Sequence, residues 1–251
     1  MTKKVLLAGE SWMSYTTHVK GFDAFYTSTY EEGIEYIRKA ILEAGYELEF
    51  MPNHIAPEKF PYTAEALSEY ACVILSDIGS NTLLLPHATF TQSKVRPNRC
   101  EAIKEYVLNG GAFMMIGGYM SFSGIDSKAR YGMTAIRDIL PVKCLEVDDR
   151  EEHSEGVIPK VTGMHASLSE VPQEWPHFLG YNKTTPIEGC EVPVTINGDP
   201  LVAFGKFGKG RSAVFTSDCA PHWGTPEFVN WNGYNKLWKG MLAYITNAQN
   251  H

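Results

Sequence analysis

The chain opens on the short apolar run KVLLAG, which ends in glycine and reads as a buried strand delivering a loop at its carboxyl end. A polar, aromatic stretch covers 11–29. Beyond it Ile34, Ile37, Ile41 and Leu42 recur at helical spacing, with Gly45 placed as the stop. YELEFM at 46–51 predicts a second strand. Pro52, Pro57 and Pro61 punctuate a loop, 64–70 predicts a short helix, and 72–75 a third strand ending in Ser76-Asp77. A helix over 101–108 closes at Asn109-Gly110-Gly111. The wholly apolar AFMMI at 112–116 then predicts a central parallel strand, stopped by Gly117-Gly118. Strands and helices alternating at this spacing imply a parallel sheet covered on both faces, with right-handed crossovers.

The second half changes character. Strands are predicted at 142–147 and 157–161, and 201–207 and 211–216 flank Gly208-Lys209-Gly210 as a hairpin. An aromatic-rich helix over 228–245 ends the pattern. The fold class is therefore α/β, a flavodoxin-like three-layer α/β/α sandwich with a mostly parallel sheet and a β-hairpin-rich second half. No Gly/Ser-rich or Pro-rich linker divides the chain, so residues 1–251 read as one domain.

Composition narrows the partners. With 44% hydrophobic and 20% charged residues the chain can bury a sizeable core, and 29 acidic against 22 basic residues give a net charge of −7, which argues against nucleic acid. No apolar segment approaches the roughly 20 residues of a membrane span, and the opening run is too short for a signal-peptide core. Five cysteines without a C-x-x-C pair fit a reducing cytoplasm, which makes the Asn182-Lys183-Thr184 sequon incidental. GKFGKGRS lacks a glycine of the phosphate-loop pattern and lies between two strands, and there is no G-x-G-x-x-G, so no cofactor is expected. The eight histidines show no metal-binding spacing, so no metal is expected. The acidic run of Glu146, Asp148, Asp149, Glu151 and Glu152 beside His153 reads as a charged surface segment in preference to a cation site. Trp231, Tyr234, Trp238 and Tyr244 give the closing helix more aromatics than one face hides. They suit packing within the domain or against a second subunit in a homo-oligomer.

In an open parallel sheet ligands bind beyond the carboxyl ends of the strands, which singles out the loops 9–12, 76–82 and 117–124. In IGGYMSFSG two glycines allow a sharp strand-to-helix turn that lifts Tyr119 into a crevice; alternatively they only end the strand. The arrangement invites comparison with a nucleophile elbow, where a Ser or Cys sits at the apex beside an oxyanion hole. A phenol, with a pKa near 10, is a poorer acyl acceptor than a thiol near 8.5. Ser121 takes the apex only if the turn is longer. Asp77 faces the same crevice or forms an ordinary Asx turn. Asp126, Lys128, Arg130 and Tyr131 make a polar loop suited to orienting a ligand, or simply a solvated one. Asp218, His222 and Trp223 of SDCAPHW join the same end if the preceding strand runs parallel. Asp218 then orients the histidine, and Trp223 stacks on a sugar or another planar group or packs in the core.

GGAFMMIGGYMSFSGID, SDIGSNTLLL and GDPLVAFGKFGKGRSAVFTSDCAPHW, with the strand order, resemble the class I glutamine amidotransferase-like fold, in particular a bacterial cytoplasmic branch of it. The likeness covers almost the whole chain. Working members carry a cysteine at the elbow and a histidine plus a glutamate late in the chain. The resemblance puts Tyr119 where the cysteine stands, makes His222 the nearest match to the histidine, and leaves Gly224 where the glutamate stands. It also implies that Gly79 supplies a backbone N–H to the ligand, and that Gly118 lies beside it at the elbow. The departures from the pattern imply a small-molecule site without glutaminase activity. Relatives lacking the nucleophile occur beside carbohydrate-related enzymes, which makes a carbohydrate-related ligand the natural guess. The alternative is a hydrolase or transferase using His222 as general base with Tyr119 or Ser121 as acid or nucleophile. A purely structural subunit is the third reading.

Overall fold

Runs of apolar residues too long to face water on either side force the centre of this molecule to be a sheet with two covered faces. The computed structural model describes residues 3–246. In chain order its strands are β1 (Lys4–Gly9), β2 (Ser11–Lys20), β3 (Asp23–Glu32), β4 (Glu47–Met51), β5 (Cys72–Ser76), β6 (Ala112–Ile116) and β7 (Val142–Cys144). They continue with β8 (Arg150–Val157), β9 (Lys160–Val161), β10 (Phe178–Asn182), β11 (Thr184–Pro186), β12 (Glu191–Ile196), β13 (Asp199–Phe207) and β14 (Gly210–Phe215). Eight of them form one sheet in the order β4-β1-β5-β6-β14-β13-β12-β9. The pairings from β4 through β14 are parallel, and those from β14 outward to β9 are antiparallel.

Alternate residues of the central strands feed two cores. Val5, Leu7, Ile74, Met114 and Ile116 pack with the helices Glu35–Glu43 and Tyr234–Thr246. Leu6, Ala8, Val73, Leu75, Phe113 and Met115 pack with the helix Arg99–Leu108 on the other face. The sheet is therefore the middle of three layers. Among the described residues no helix is long and apolar enough to cross a membrane.

Several expectations need correction. The stretch 11–29 is ordered: β2 and β3 pair antiparallel from Ser11 opposite Glu32 to Lys20 opposite Asp23, turning at Gly21-Phe22. The short helix shrinks to Ala64–Leu67, and the strand expected over 142–147 is confined to Val142–Cys144, paired with β11. The strand expected over 157–161 is in fact the end of β8 and the two-residue β9. The closing helix is broken into Pro226–Val229 and Tyr234–Thr246, with the Trp231 indole lying over Gly233 at the break. Its aromatics are absorbed at home. Tyr234 and Trp238 are buried, Trp231 packs on the core, and the Tyr244 hydroxyl donates to Glu191 at 2.8 Å. The excess that suggested a homo-oligomer through this helix is therefore used within the domain.

Candidate functional site

Four adjacent strands, β1, β5, β6 and β14, end side by side and run the same way. The residue after β1 is Glu10, and the residue after β5 is Asp77, both with left-handed backbone (φ 47° and 45°). Beyond β6 the chain turns at Gly118, whose φ of +136° favours glycine. A Cβ there would come within 2.7 Å of Asp77 Oδ1 and 2.9 Å of Asp218 Oδ1. Gly118 is thus the spacer that lets two carboxylates approach one backbone. Beyond β14 come Asp218 and His222. A crevice of about 330 Å³ results, lined by Glu10, Trp12, Asp77, Tyr119, Asp218, Ala220, Pro221 and His222.

Electrostatics divide the roles among the acids. Glu10 is buried, takes a hydrogen bond from the Ser76 hydroxyl, and lies near Asp218 and Asp77. Burial, then those two charges, push its carboxyl up to about 8, so it holds a proton at neutral pH. Asp77 is raised to about 6 by burial and by Asp218; its Oδ1 accepts the Met120 N–H at 2.7 Å. Asp218 Oδ2 accepts from His222 Nδ1 at 2.7 Å and from the Trp223 N–H at 3.2 Å. That hydrogen bond raises the His222 pKa and fixes the ring, leaving Nε2 as the nitrogen free to exchange a proton. Among the described residues no group of three His, Cys, Asp or Glu side chains is placed to hold a metal ion.

Tyr119 forms one wall. Its ring meets His222 edge to face at 4.5 Å between centroids and Trp223 at 5.4 Å, and Arg150 lies 5.1 Å above it. The hydroxyl donates to Glu152 Oε1 at 3.0 Å, and the Trp223 indole N–H donates to Glu152 Oε2 at 2.9 Å. Glu152 therefore clamps both rings. Trp223 is buried behind the crevice and backs its wall without lining it.

The remaining candidates lie elsewhere. Ser121 is buried beneath the turn; its hydroxyl donates to the Ile116 carbonyl at 2.5 Å and accepts the Asp77 N–H at 3.1 Å. Gly79 precedes the helix Ser80–Leu84, packed near the Met120 methyl and outside the crevice lining. Asp126 and Arg130 line a separate cavity of about 1190 Å³ with Lys128, Arg137 and Lys143. Lys128 pairs with Asp126 there at 2.7 Å.

The turn also differs from a nucleophile elbow. Among the described residues no α-helix lies between β6 and β7; the segment runs instead through 3-10 turns at Ile125–Ser127, Tyr131–Met133 and Ala135–Ile139. The reason is left-handed backbone at Phe122, Gly124, Asp126, Ser127 and Arg130, which a continuous helix does not tolerate; the Asp149 carboxylate holds the turn by accepting the N–H groups of Ser123 at 2.7 Å and Gly124 at 3.0 Å. Asn182 locks this arrangement. Its Oδ1 accepts the Gly118 N–H at 3.0 Å, while Nδ2 donates to the Gly118 carbonyl at 3.1 Å and to Asp149 at 2.8 Å. Both side chains are buried, so the sequon asparagine is a structural tie and the acidic run is no simple surface segment. Sequence reasoning points to the loop holding Glu10 and Trp12 but to neither residue. It meets Asn182 only as an incidental sequon and Asp149 and Glu152 only as a charged surface run, because their partners are distant in sequence.

The chain has relatives of similar fold. No curated protein sequence matches the chain significantly. The cytoplasmic proteins STM3548 and STM1381 of Salmonella typhimurium are each 43% identical with a TM-score of 0.93. Each alignment covers 96% of this chain, and 98% and 99% of theirs respectively. A β-galactosidase from Bacillus circulans sp. alkalophilus shares the fold at 15% identity and a TM-score of 0.52, covering 87% of this chain and 27% of that one. The family model described as "Putative glutamine amidotransferase" matches residues 4–247, and the chain belongs to that family.

Proposed function

We propose that the crevice binds a small, uncharged polyhydroxyl ligand of carbohydrate type, in a cytoplasmic protein that does not hydrolyse glutamine. The observation that carries this reading is the residue at the elbow. Tyr119 offers a phenol already committed to Glu152; burial and that carboxylate raise its pKa further. Cys219, beside Glu10 and Ser76, is buried and its thiol is pushed well above the usual range by desolvation, so no thiolate is at hand. Asp77 and Asp218 together disfavour a ligand bearing its own carboxylate, as glutamine does. The three acids suit hydroxyls, to which the protonated Glu10 donates and from which an ionised acid accepts. Trp12, Tyr119 and His222 supply flat faces for the C–H surface of a sugar ring. The cytoplasmic placement rests on the free cysteines and on the Salmonella relatives' descriptions.

The test is a thermal-shift panel of sugars, sugar derivatives and glutamine, with an ammonia-release assay on glutamine. A sugar-class ligand is expected to raise Tm by mass action, the shift vanishing in His222→Ala and surviving in Lys128→Ala, which lies in the other cavity. Sustained ammonia release, or a shift indifferent to His222, would reject the proposal. The Asp218–His222 pair favours a second reading, a hydrolase or transferase with His222 as general base. Of the two partners first considered, Ser121 is buried and the Tyr119 hydroxyl faces Glu152, so Glu10 is the better-placed acid.

A further inference from the structure

We infer that the ribbon of β2 and β3 is a docking arm for a second copy of this chain. Its register sets Met13 opposite Tyr30, Tyr15 opposite Ser28, Thr17 opposite Tyr26 and Val19 opposite Ala24. Cross-strand partners share a face, so Met13, Tyr15, Val19, Tyr26 and Tyr30 line one side, whose one charged residue is Glu32 at the base, accepting from the Tyr30 hydroxyl at 2.6 Å. The other side carries Ser14, Thr16, Thr27 and Thr29 with Lys20, Asp23 and Glu31. Its two large apolar rings are engaged: Trp12 lines the crevice and donates to Glu31, and Phe25 stacks on His18 at 4.5 Å.

Such alternation is the pattern of a half-buried sheet, yet most of the apolar side is left open, with His54 meeting it edge-on at Tyr30, 5.0 Å between ring centroids. Tyr15 is 80% exposed, Tyr26 77%, Val19 70%, Met13 45% and Tyr30 41%. A two-stranded ribbon alone in water is marginal, and a contiguous apolar patch of this extent marks an interaction site. The outer edges are equally unguarded. Charges stand only at the turn, Lys20 and Asp23, and at the base, Glu31 and Glu32, with no proline to discourage pairing.

Charge and area select a second copy as the occupant. Two bodies of formal charge −7 repel, and contact is least opposed through this face, whose one charge sits at its base. A partner recognised by charge finds only Glu32 there, already hydrogen-bonded to Tyr30. The five side chains expose several hundred Å² per copy, approaching the roughly 800 Å² per partner of a standard interface. Two such faces related by a two-fold axis interdigitate as the sheets of a sandwich do. This inference is independent of the ligand reading.

Sedimentation velocity on the full chain, over a wide range of micromolar concentrations, is the test. Wild type is expected to sediment as two chains. The exposed-site double variant Tyr15→Lys/Tyr26→Lys should halve that mass with an unchanged far-UV spectrum, while Thr16→Lys/Thr27→Lys on the polar face should stay dimeric. A wild-type protein that remains a single chain throughout would overturn the proposal and point to an unlike partner or a lipid surface. It would equally be overturned by an apolar-face variant of undiminished mass, or by a polar-face variant that dissociates as well.

Discussion

Asn182→Ala is expected to lower the unfolding free energy by about 3–5 kcal/mol, read from the midpoint of urea denaturation. The side chain is buried and makes three hydrogen bonds, two to Gly118 and one to Asp149. Truncation removes all three at once. It leaves a backbone N–H, a backbone carbonyl and a carboxylate with fewer partners and no access to bulk water, which costs more than the bonds themselves contribute. The carboxylate matters most. Burial already raises Asp149 to about 6, so at pH 7 it is held ionised against the desolvation penalty by Asn182 and the Ser123 and Gly124 N–H groups. The variant should also lose whatever ligand response wild type shows, because Gly118 holds the spacing of Asp77 and Asp218. A loss below about 1 kcal/mol would mean that water replaces the amide and that Asn182 does not tie the turn in place.

The second large effect is a fall in stability as pH rises, and Glu10→Gln is expected to remove most of it. Glu10 sits at about 8 in the folded chain against an ordinary 4.5, so the native state keeps a proton that the unfolded chain releases. Stability of this origin is complete below pH about 4.5, declines as pH rises, and is lost by about pH 8. Asp77 and Asp149, both raised to about 6, act in the same direction over a lower window, and His222, raised from 6.5 by Asp218, acts in the same direction from 6.5 upward. Asp148, held low by Arg150, acts oppositely but only below its ordinary 3.8. Wild-type Tm should therefore drop between pH 5 and pH 9 by an amount corresponding to a few kcal/mol. Glu10→Gln should match wild type at pH 5 and exceed it at pH 9. Equal melting of wild type at both pH values, or a variant less stable at pH 9, would contradict the buried protonated acid.

The parallel sheet was legible because its strands are apolar on both faces, a property written into adjacent residues: AFMMI is predicted to the residue. Asp77, Asp218 and His222 were legible for a related reason, since a polar residue just past a buried strand has to emerge at the sheet's end. The same logic located Tyr119. It could not say which way its hydroxyl turns, because Glu152 arrives from another strand, 33 positions on. Asn182 and Asp149 look like any surface polar residues in sequence; their burial is decided by a segment 26 residues away for Asp149 and 64 for Asn182. Left-handed backbone at Phe122, Asp126, Ser127 and Arg130 is why no helix forms directly after the turn. The ribbon hid differently. Met13, Tyr15 and Val19 do alternate, but a serine- and threonine-rich opposite face kept the stretch from standing out as a strand.

The position of β14 sets the order in which this protein can become itself. It is the last strand among the described residues, yet it lies in the sheet's interior, between β6 and β13. While the chain emerges from the ribosome, β6 keeps a bare edge until residues 210–215 arrive, and a bare apolar edge invites the wrong neighbour. Asp218 and His222 come later still. No fragment that stops short of them has a crevice to offer, so the working surface forms only after the strand that joins partners nearly a hundred residues apart is in place, a long search for a growing chain.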